Sequence, residues 1–181
     1  LPWLSAPARA AVQPVPALSA HVIDQTATLS AQDQAQLEAQ LTALERDTGA
    51  QVVVLMVAST SPEDIAAYAQ RVASTWKIGR KEVGDGLLVL VAKDDRRMRI
   101  EVAKTLEGAI PDLRAARIID QTMAPAFRAG NFAAGIGDSL AQISALIKGE
   151  ALPPPRSTPP ARNQASSALP DDPAQLLLFF F

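Results

Sequence analysis

Residues 84–102, with the sequence GDGLLVLVAKDDRRMRIEV, decide the fold of this chain. Residues 87–92 form an uninterrupted apolar run, which predicts a strand buried on both faces. After a polar turn at residues 93–96, the apolar residues Met98, Ile100 and Val102 alternate with charged residues. This period of two predicts an antiparallel hairpin partner that has one exposed face.

A second buried strand is predicted at residues 51–57, and a helix is predicted on each side of it. The first helix has Ser30 as its N-cap and ends at Gly49. The second has Ser61 as its N-cap and Pro62 at the first helical position. Because this second helix joins two buried strands, we expect the strands to pair in parallel through a right-handed crossover.

The remaining elements complete an α/β chain. Residues 21–23 predict a short first strand that ends at Asp24. Residues 112–123 predict a helix that stops before Pro125, and a final amphipathic helix ends at Gly149. The predicted fold class is therefore α/β, with a small mixed β-sheet covered by helices in a Rossmann-like α/β/α sandwich.

Composition excludes several kinds of function. The chain has 181 residues, a formal net charge of −2, one histidine and no cysteine. Disulfides and thiolate chemistry are therefore excluded, and His21 alone gives little support to a Ser-His-Asp triad or a histidine-rich zinc site. The charge provides no basic field for nucleic acid, so no nucleic-acid partner is expected.

The two ends of the chain predict a location outside the cytoplasm. Residues 1–19 are expected to be an unstructured tail and the remnant of a signal peptide, although an Ala/Pro-rich tail without a signal is the alternative. Residues 150–175 predict a proline-rich linker, and the apolar residues 176–181 predict the start of a transmembrane helix. We therefore expect one domain, residues 20–149, anchored to the membrane on its periplasmic or cell-surface side.

Several carboxylates are expected at one edge of the sheet. Asp85 precedes the strand at residues 87–92, whereas Glu107 and Asp112 follow its antiparallel partner. The start of one strand and the end of its antiparallel neighbour lie at the same edge, so the three side chains converge there. Asp24 could join them, depending on how the first strand pairs. Oxygen-rich clusters suit Ca²⁺ or Mg²⁺, and the sequence predicts a divalent-cation site at this edge.

Structural roles are the alternative for each of these acids. Asp112 could cap its helix, Asp85 could stabilise a Gly-Asp-Gly turn, and Glu107 could pair with a cation such as Lys104. Arg96 and Arg99 are expected on a solvated or helix-covered face away from the acids. His21 is expected to be a hydrogen-bonded residue at the strand edge, and Tyr68 and Trp76 are expected to be core residues. No functional role is expected for these last three residues.

The order of short motifs along residues 20–149 resembles the TPM domain, which occurs in bacterial membrane-anchored proteins and in photosystem II repair factors. The resemblance rests on Val22-Ile23-Asp24, Trp76-Lys77-Ile78-Gly79, Asp85-Gly86-Leu87-Leu88, Asp95-Arg96, Leu106-Glu107-Gly108 and Pro111-Asp112. One departure is that Ala103-Lys104-Thr105 stands where the family usually has a turn resembling Gly-Tyr-Gly. The turn must therefore be built without glycine.

Two functions are considered, and the resemblance implies the first of them. One is a metal-assisted acid phosphatase that hydrolyses phosphomonoesters, since this activity is attributed to plant members; a divalent ion would polarise a phosphate oxygen and activate water. The other is a non-catalytic, Ca²⁺-binding module that assists assembly, repair or regulation of a membrane protein complex. A tether on a flexible linker favours the second, because it raises the local concentration of membrane partners.

Overall fold

The computed structural model describes residues 11–150. Within this range the strands are β1 (Val22–Asp24), β2 (Gln51–Val57), β3 (Gly86–Ala92) and β4 (Arg97–Val102). The α-helices are α1 (Ala31–Thr48), α2 (Ile65–Trp76), α3 (Asp112–Ile118), α4 (Ala124–Arg128) and α5 (Phe132–Lys148). A 3₁₀ turn at Lys104–Leu106 follows β4, and a π-helical turn at Ile119–Met123 joins α3 to α4.

The strands form one mixed sheet in the order β1-β2-β3-β4. β1, β2 and β3 are parallel, and β4 is antiparallel to β3. Val54 of β2 pairs with Val22 on one side and with Val89 on the other. The predicted parallel pairing of the two buried strands and the predicted hairpin are therefore confirmed.

Helices cover both faces of the sheet. Alternate residues of β2 and β3 pack on one face against α1, α3 and α5, while the intervening residues pack on the other face against α2. The contacts come from Leu37, Leu41 and Leu44 of α1, and from Tyr68, Ala69 and Val72 of α2. Each fully buried Leu or Val side chain contributes about 2 kcal/mol through removal from water. The predicted α/β/α arrangement is confirmed.

The two crossover connections have opposite hands. The connections β1-α1-β2 and β2-α2-β3 both join parallel strands, and both advance in the same direction across the sheet. However, α1 lies on one face and α2 on the other. For two connections that advance in the same direction, the face on which the helix lies determines the handedness of the crossover. One of the two connections is therefore left-handed, which is found in only about 2% of crossovers between parallel strands.

The N-terminal part of the domain departs from the expectation of an unstructured tail. Residues 11–19 follow an extended path along α2, with Val15 and Leu18 packed against the apolar cluster on that face. Composition suggested disorder because alanine and proline offer little apolar surface. The tertiary structure supplies apolar surface from α2, against which this segment packs. Residues 13–16 are called the strap below.

The start of α2 also differs from the prediction. Its N-cap is Asp64, whose side chain accepts a hydrogen bond from the backbone N–H of Ala66 at 2.9 Å, and the helix begins at Ile65. Ser61 lies before the helix in a turn, where its backbone N–H donates to the Ser59 hydroxyl at 3.0 Å. Asp64, three residues after the predicted N-cap Ser61, is therefore the residue that caps α2.

Pro125 does not stop the third helical region, contrary to the prediction for residues 112–123. The π-helical turn at Ile119–Met123 changes the hydrogen-bond spacing, and the N–H of Ala124 donates to the carbonyl of Ile119. Pro125 then falls in the first turn of α4. A missing N–H is tolerated in a first turn, because those donors have no partner inside their own helix.

The predictions for residues 1–10 and 151–181, which include the signal remnant, most of the linker and the apolar end, lie outside the described residues. Among residues 11–150 no helix is both long and apolar enough to span a membrane.

Candidate functional site

Asp85 lies at the edge of the sheet where β3 begins, and its carboxylate is completely buried. Arg80 reaches one carboxylate oxygen through Nε at 2.8 Å and through Nη2 at 2.6 Å. The backbone N–H of Arg80 donates to the other oxygen at 2.7 Å. A cation that used Asp85 as a ligand would therefore have to displace Arg80.

The backbone around Glu107 does approach this edge, as predicted. The 3₁₀ turn is held against the loop before β3, because the N–H of Thr105 donates to the carbonyl of Gly84 at 3.3 Å and its hydroxyl donates to the carbonyl of Val83. Glu107 follows this turn and is exposed, and Asp112 is exposed in the first turn of α3. Asp112 thus stands where the helix dipole favours an acid, without capping the helix.

Asp24 lies at the opposite edge of the sheet from Asp85. It pairs with Met56, which in turn pairs with Val91, so about six residues of strand, or roughly 20 Å, separate the rows of Asp24 and Asp85. Asp24 therefore does not join the other three acids. Within residues 11–150 no three acidic or histidine side chains are grouped so that they could hold one metal ion. The cation site stays a prediction.

The Asp24 carboxylate instead organises the loop that follows β1. It accepts hydrogen bonds from the backbone N–H groups of Thr26, Thr28 and Leu29, each at 2.8 Å, and from the Thr26 hydroxyl at 2.5 Å. Burial raises the pKa of Asp24, but these hydrogen bonds outweigh burial and hold the pKa below its ordinary value. Its observed contacts are thus those of a loop-forming residue.

A basic cleft of about 730 Å³ opens at the edge where β3 ends and β4 begins. Four cationic side chains line it: Lys93, Arg96, Arg97 and Arg128. Phe127 and Phe132 supply an aromatic part of the wall, and Asp94 is the single carboxylate among the lining residues. Cationic and aromatic groups together suit an anion that carries an apolar part.

Two contacts orient cations of the basic cleft. The ammonium of Lys93 lies 5.4 Å from the ring centre of Phe132, within the range of a cation–π contact. Arg97 Nη1 lies 3.6 Å from Asp64 Oδ2. Both partners of this ion pair are largely exposed, so the pair contributes little to stability. The Phe132 ring therefore sets the position of the Lys93 ammonium at the cleft.

Asp95 fixes the turn that presents these cations. Its carboxylate accepts hydrogen bonds from the backbone N–H of Thr60 and from the hydroxyl of Ser59, both at 2.8 Å. The pKa of Asp95 lies below its ordinary value. The main cause is the hydrogen bond from the Thr60 N–H, and the second is the hydrogen bond from the Ser59 hydroxyl. Arg96 follows with a φ of 52°, a left-handed conformation that is rare outside glycine and concentrates at functional sites.

Sequence reasoning missed this cleft. It placed Arg96 on a charged face without a site, and it gave no role to Arg128 or Phe132. The available indication was the run of charged residues at 93–97, directly after a buried strand, because ligands of open α/β sheets bind at the carboxyl ends of strands. The contribution of Arg128 and Phe132 requires the packing of α4 and α5.

The comparisons with known proteins agree with this fold. The family model described as TPM domain, TPM_phosphatase, matches residues 22–146. This chain belongs to the TPM-domain family. No curated protein matches the sequence.

Three solved structures are similar to this TPM domain. The N-terminal domain of a protein from P. gingivalis has a TM-score of 0.66 at 28% identity, covering 71% of this chain and 82% of that one. The BA42 protein of Bizionia argentinensis has a TM-score of 0.58 at 20% identity, covering 70% and 86%. The N-terminal domain of the cg2496 protein of Corynebacterium glutamicum has a TM-score of 0.56 at 16% identity, covering 81% and 90%. The last two are similar in fold alone.

Two glycines of the TPM motifs have a direct structural role. Gly79 follows α2 with a φ of 91°, and a Cβ there would lie 2.4 Å from the backbone nitrogen of Gly86. A Cβ on Gly86 would lie 2.2 Å from the carbonyl oxygen of Ile78. The segment after α2 therefore crosses the start of β3 at a distance that only glycine permits.

Proposed function

We propose that this TPM domain binds a phosphorylated ligand in the basic cleft. The proposal rests on one observation, the presence of four cationic residues and two aromatic residues around one cleft at the carboxyl end of β3. Arginine and lysine bind phosphate through charge-assisted hydrogen bonds, which are about twice as strong as neutral ones. The aromatic rings would contact an apolar part of the ligand.

Hydrolysis of a phosphomonoester is the second candidate function, and the name of the matching family model favours it. A divalent ion would supply the polarisation of a phosphate oxygen and the activation of water. In the basic cleft the cationic residues would bind and orient the phosphate, and Asp94 is the carboxylate available at its wall. The predicted acids Asp85, Glu107 and Asp112 lie at the other edge of the sheet and would not reach that phosphate.

Binding is tested with phenyl phosphate and inorganic phosphate, followed by amide NMR shifts. We expect the double variant Lys93→Gln, Arg128→Gln to weaken phenyl phosphate binding about tenfold, since two charge-assisted contacts are lost. Arg114→Gln, at an exposed position in α3, is the matched control and should bind normally. Phenyl phosphate should bind more tightly than inorganic phosphate, and salt should weaken both. Equal affinity of both variants for phenyl phosphate would overturn the proposal.

Turnover is tested separately with p-nitrophenyl phosphate, in the presence and absence of a chelator. A rate that the chelator abolishes and that the Lys93→Gln, Arg128→Gln variant lowers would support the metal-assisted phosphatase. Binding without turnover would support the non-catalytic module, in which the same cleft recognises a phosphorylated partner within a membrane protein complex.

We also propose that the domain acts outside the cytoplasm as a membrane-tethered module. Support comes from the proline-rich residues 150–175 and the apolar residues 176–181, together with the signal-like N-terminal sequence. In the complete natural protein, a reporter that is active only outside the cytoplasm should give a signal when it replaces the linker. Soluble cytoplasmic protein with a silent reporter would contradict the tethered arrangement.

A further inference from the structure

The strap, residues 13–16, has the sequence Gln-Pro-Val-Pro and lies across α2. Three side chains of α2 donate hydrogen bonds to its carbonyl groups: Arg71 Nη2 to Gln13 at 2.7 Å, Tyr68 Oη to Pro14 at 3.0 Å, and Trp76 Nε1 to Pro16 at 2.7 Å. These three donors are spread over about two turns of the helix. The strap itself joins no strand or helix.

The chemistry of these contacts is that of polyproline recognition. Each acceptor is a backbone carbonyl, so another chain that followed the same path would satisfy the same donors. Proline has no N–H and favours an extended helix with solvated carbonyls, and such segments bind to surfaces lined by aromatic side chains. Tyr68 and Trp76 provide both an aromatic surface and a hydrogen-bond donor, since each has an aromatic ring and a polar group that donates to the strap.

The donor groups are held in position by the domain itself. Glu63 fixes the guanidinium of Arg71 at two points, with Nε 3.2 Å and Nη2 2.7 Å from its carboxylate oxygens. The same guanidinium lies 5.1 Å from the ring centre of Tyr68, and Tyr68 is almost completely buried. A surface whose donors are already ordered loses less entropy when it binds a peptide.

From these contacts we infer that the α2 face is a binding site for proline-rich peptides, and that the strap occupies it as an internal ligand. The partner is an extended segment of another protein with prolines at alternate positions, as in Gln-Pro-Val-Pro. The site lies on the opposite face of the sheet from α1, α3 and α5 and is separate from the basic cleft. A peptide must compete with the strap, whose short connection to β1 gives it an effective concentration in the millimolar range.

The test uses the full chain labelled with ¹⁵N and a synthetic peptide that has the sequence of residues 11–18. The readout is the indole N–H signal of Trp76, which Trp3→Phe distinguishes from the other tryptophan. The double variant Pro14→Gly, Pro16→Gly keeps every carbonyl acceptor but removes the bias toward the extended conformation, which weakens the internal ligand. We expect the peptide to bind this variant at least tenfold more tightly than it binds the natural chain.

Two controls make the result specific. A peptide in which both prolines are replaced by glycine should bind at least fivefold more weakly, and Tyr68→Phe in the strap variant should weaken binding of the proline peptide. If the strap variant does not fold, the natural chain is mixed with millimolar peptide that carries a spin label, and broadening of the Trp76 indole signal is expected.

Two results would overturn the inference. One is a folded strap variant, or a natural chain in the spin-label experiment, whose Trp76 signal does not respond to millimolar peptide. The other is a strap variant that forms a dimer, measured by light scattering, and does not bind the peptide, because the site would then belong to the strap of a second copy.

Discussion

Arg80 and Asp85 form a buried ion pair that joins the segment after α2 to the start of β3. Two guanidinium nitrogens and the backbone N–H of Arg80 reach the Asp85 carboxylate at 2.6–2.8 Å. The Asp85 side chain is completely buried, and that of Arg80 is 15% exposed. An aspartate that the sequence predicts as a metal ligand therefore has a structural partner, and its replacement should affect the fold.

Asp85→Asn should lower the free energy of unfolding by about 3 kcal/mol, because it leaves the Arg80 charge without its carboxylate in a buried position. Urea unfolding at neutral pH measures this change. Asp138→Asn, at an exposed position of α5, is the matched control and should change stability by less than about 0.5 kcal/mol. Equal stabilities of the two variants would show that the buried pair contributes nothing.

Gly86→Ala should destabilise the domain by about 3 kcal/mol, because the added methyl group would meet the carbonyl of Ile78 and the backbone must move. Gly108→Ala is the control, since a Cβ there has its nearest neighbour at 3.7 Å, in the side chain of Glu150. Thermal unfolding of both variants checks the prediction. A Gly86→Ala variant as stable as Gly108→Ala would contradict the close crossing.

His21 links β1 to α1 through two carboxylates, with Nδ1 2.6 Å from Glu38 and Nε2 2.6 Å from Glu45. This confirms the expectation of a hydrogen-bonded residue at the strand edge. Burial lowers the pKa of His21, but hydrogen bonds and charge from Glu45 and Glu38 outweigh burial and raise it above 6.5. Burial likewise raises the pKa of Glu38, and the bonds from His21 and Val22 outweigh it and lower the pKa below 4.5.

These shifts predict that stability falls as pH rises above neutrality. A raised folded-state pKa means that the contribution of His21 is complete below the unfolded value of about 6.5 and is lost as pH rises through the folded value. The contribution of Glu38 is present above its unfolded value and is lost only as pH falls through its lowered folded value. Urea unfolding between pH 6 and 9 should show the fall, and His21→Gln should flatten it. An NMR titration that places the His21 pKa below 6.5 would contradict this assignment.

The predicted divalent-cation site at the acidic edge is tested by titration with Ca²⁺ and Mg²⁺. If the exposed acids bind an ion, amide NMR shifts at residues 105–113 should change at millimolar concentration, and Glu107→Gln with Asp112→Asn should abolish the changes. The signals of residues 84–86 should respond less, because Arg80 already contacts the Asp85 carboxylate. Unchanged signals throughout residues 105–113 at about 10 mM ion, which is roughly tenfold above the Kd of weak Ca²⁺ sites, would exclude the site.

The sequence determined those parts of this protein that depend on local patterns. The strands β2, β3 and β4 were predictable from their residues. A strand buried on both faces is a continuous apolar run, as in β2 and β3, and a strand buried on one face alternates apolar and polar residues, as in β4. Ser30, whose hydroxyl accepts from the backbone N–H of Asp33, and Gly49, with a φ of 80°, fixed the ends of α1 by local hydrogen bonding and backbone freedom.

The tertiary structure decided which side chains meet. No local pattern places Arg128 beside Lys93, joins Asp85 to Arg80 in preference to a metal ion, or lays residues 13–16 across α2. The parallel direction of the strands decided that Asp24 and Asp85 lie at opposite edges, since Asp24 ends β1 whereas Asp85 precedes the start of β3. Contacts between segments that are distant in the sequence depend on how whole helices and strands pack. Short stretches of sequence therefore do not predict them.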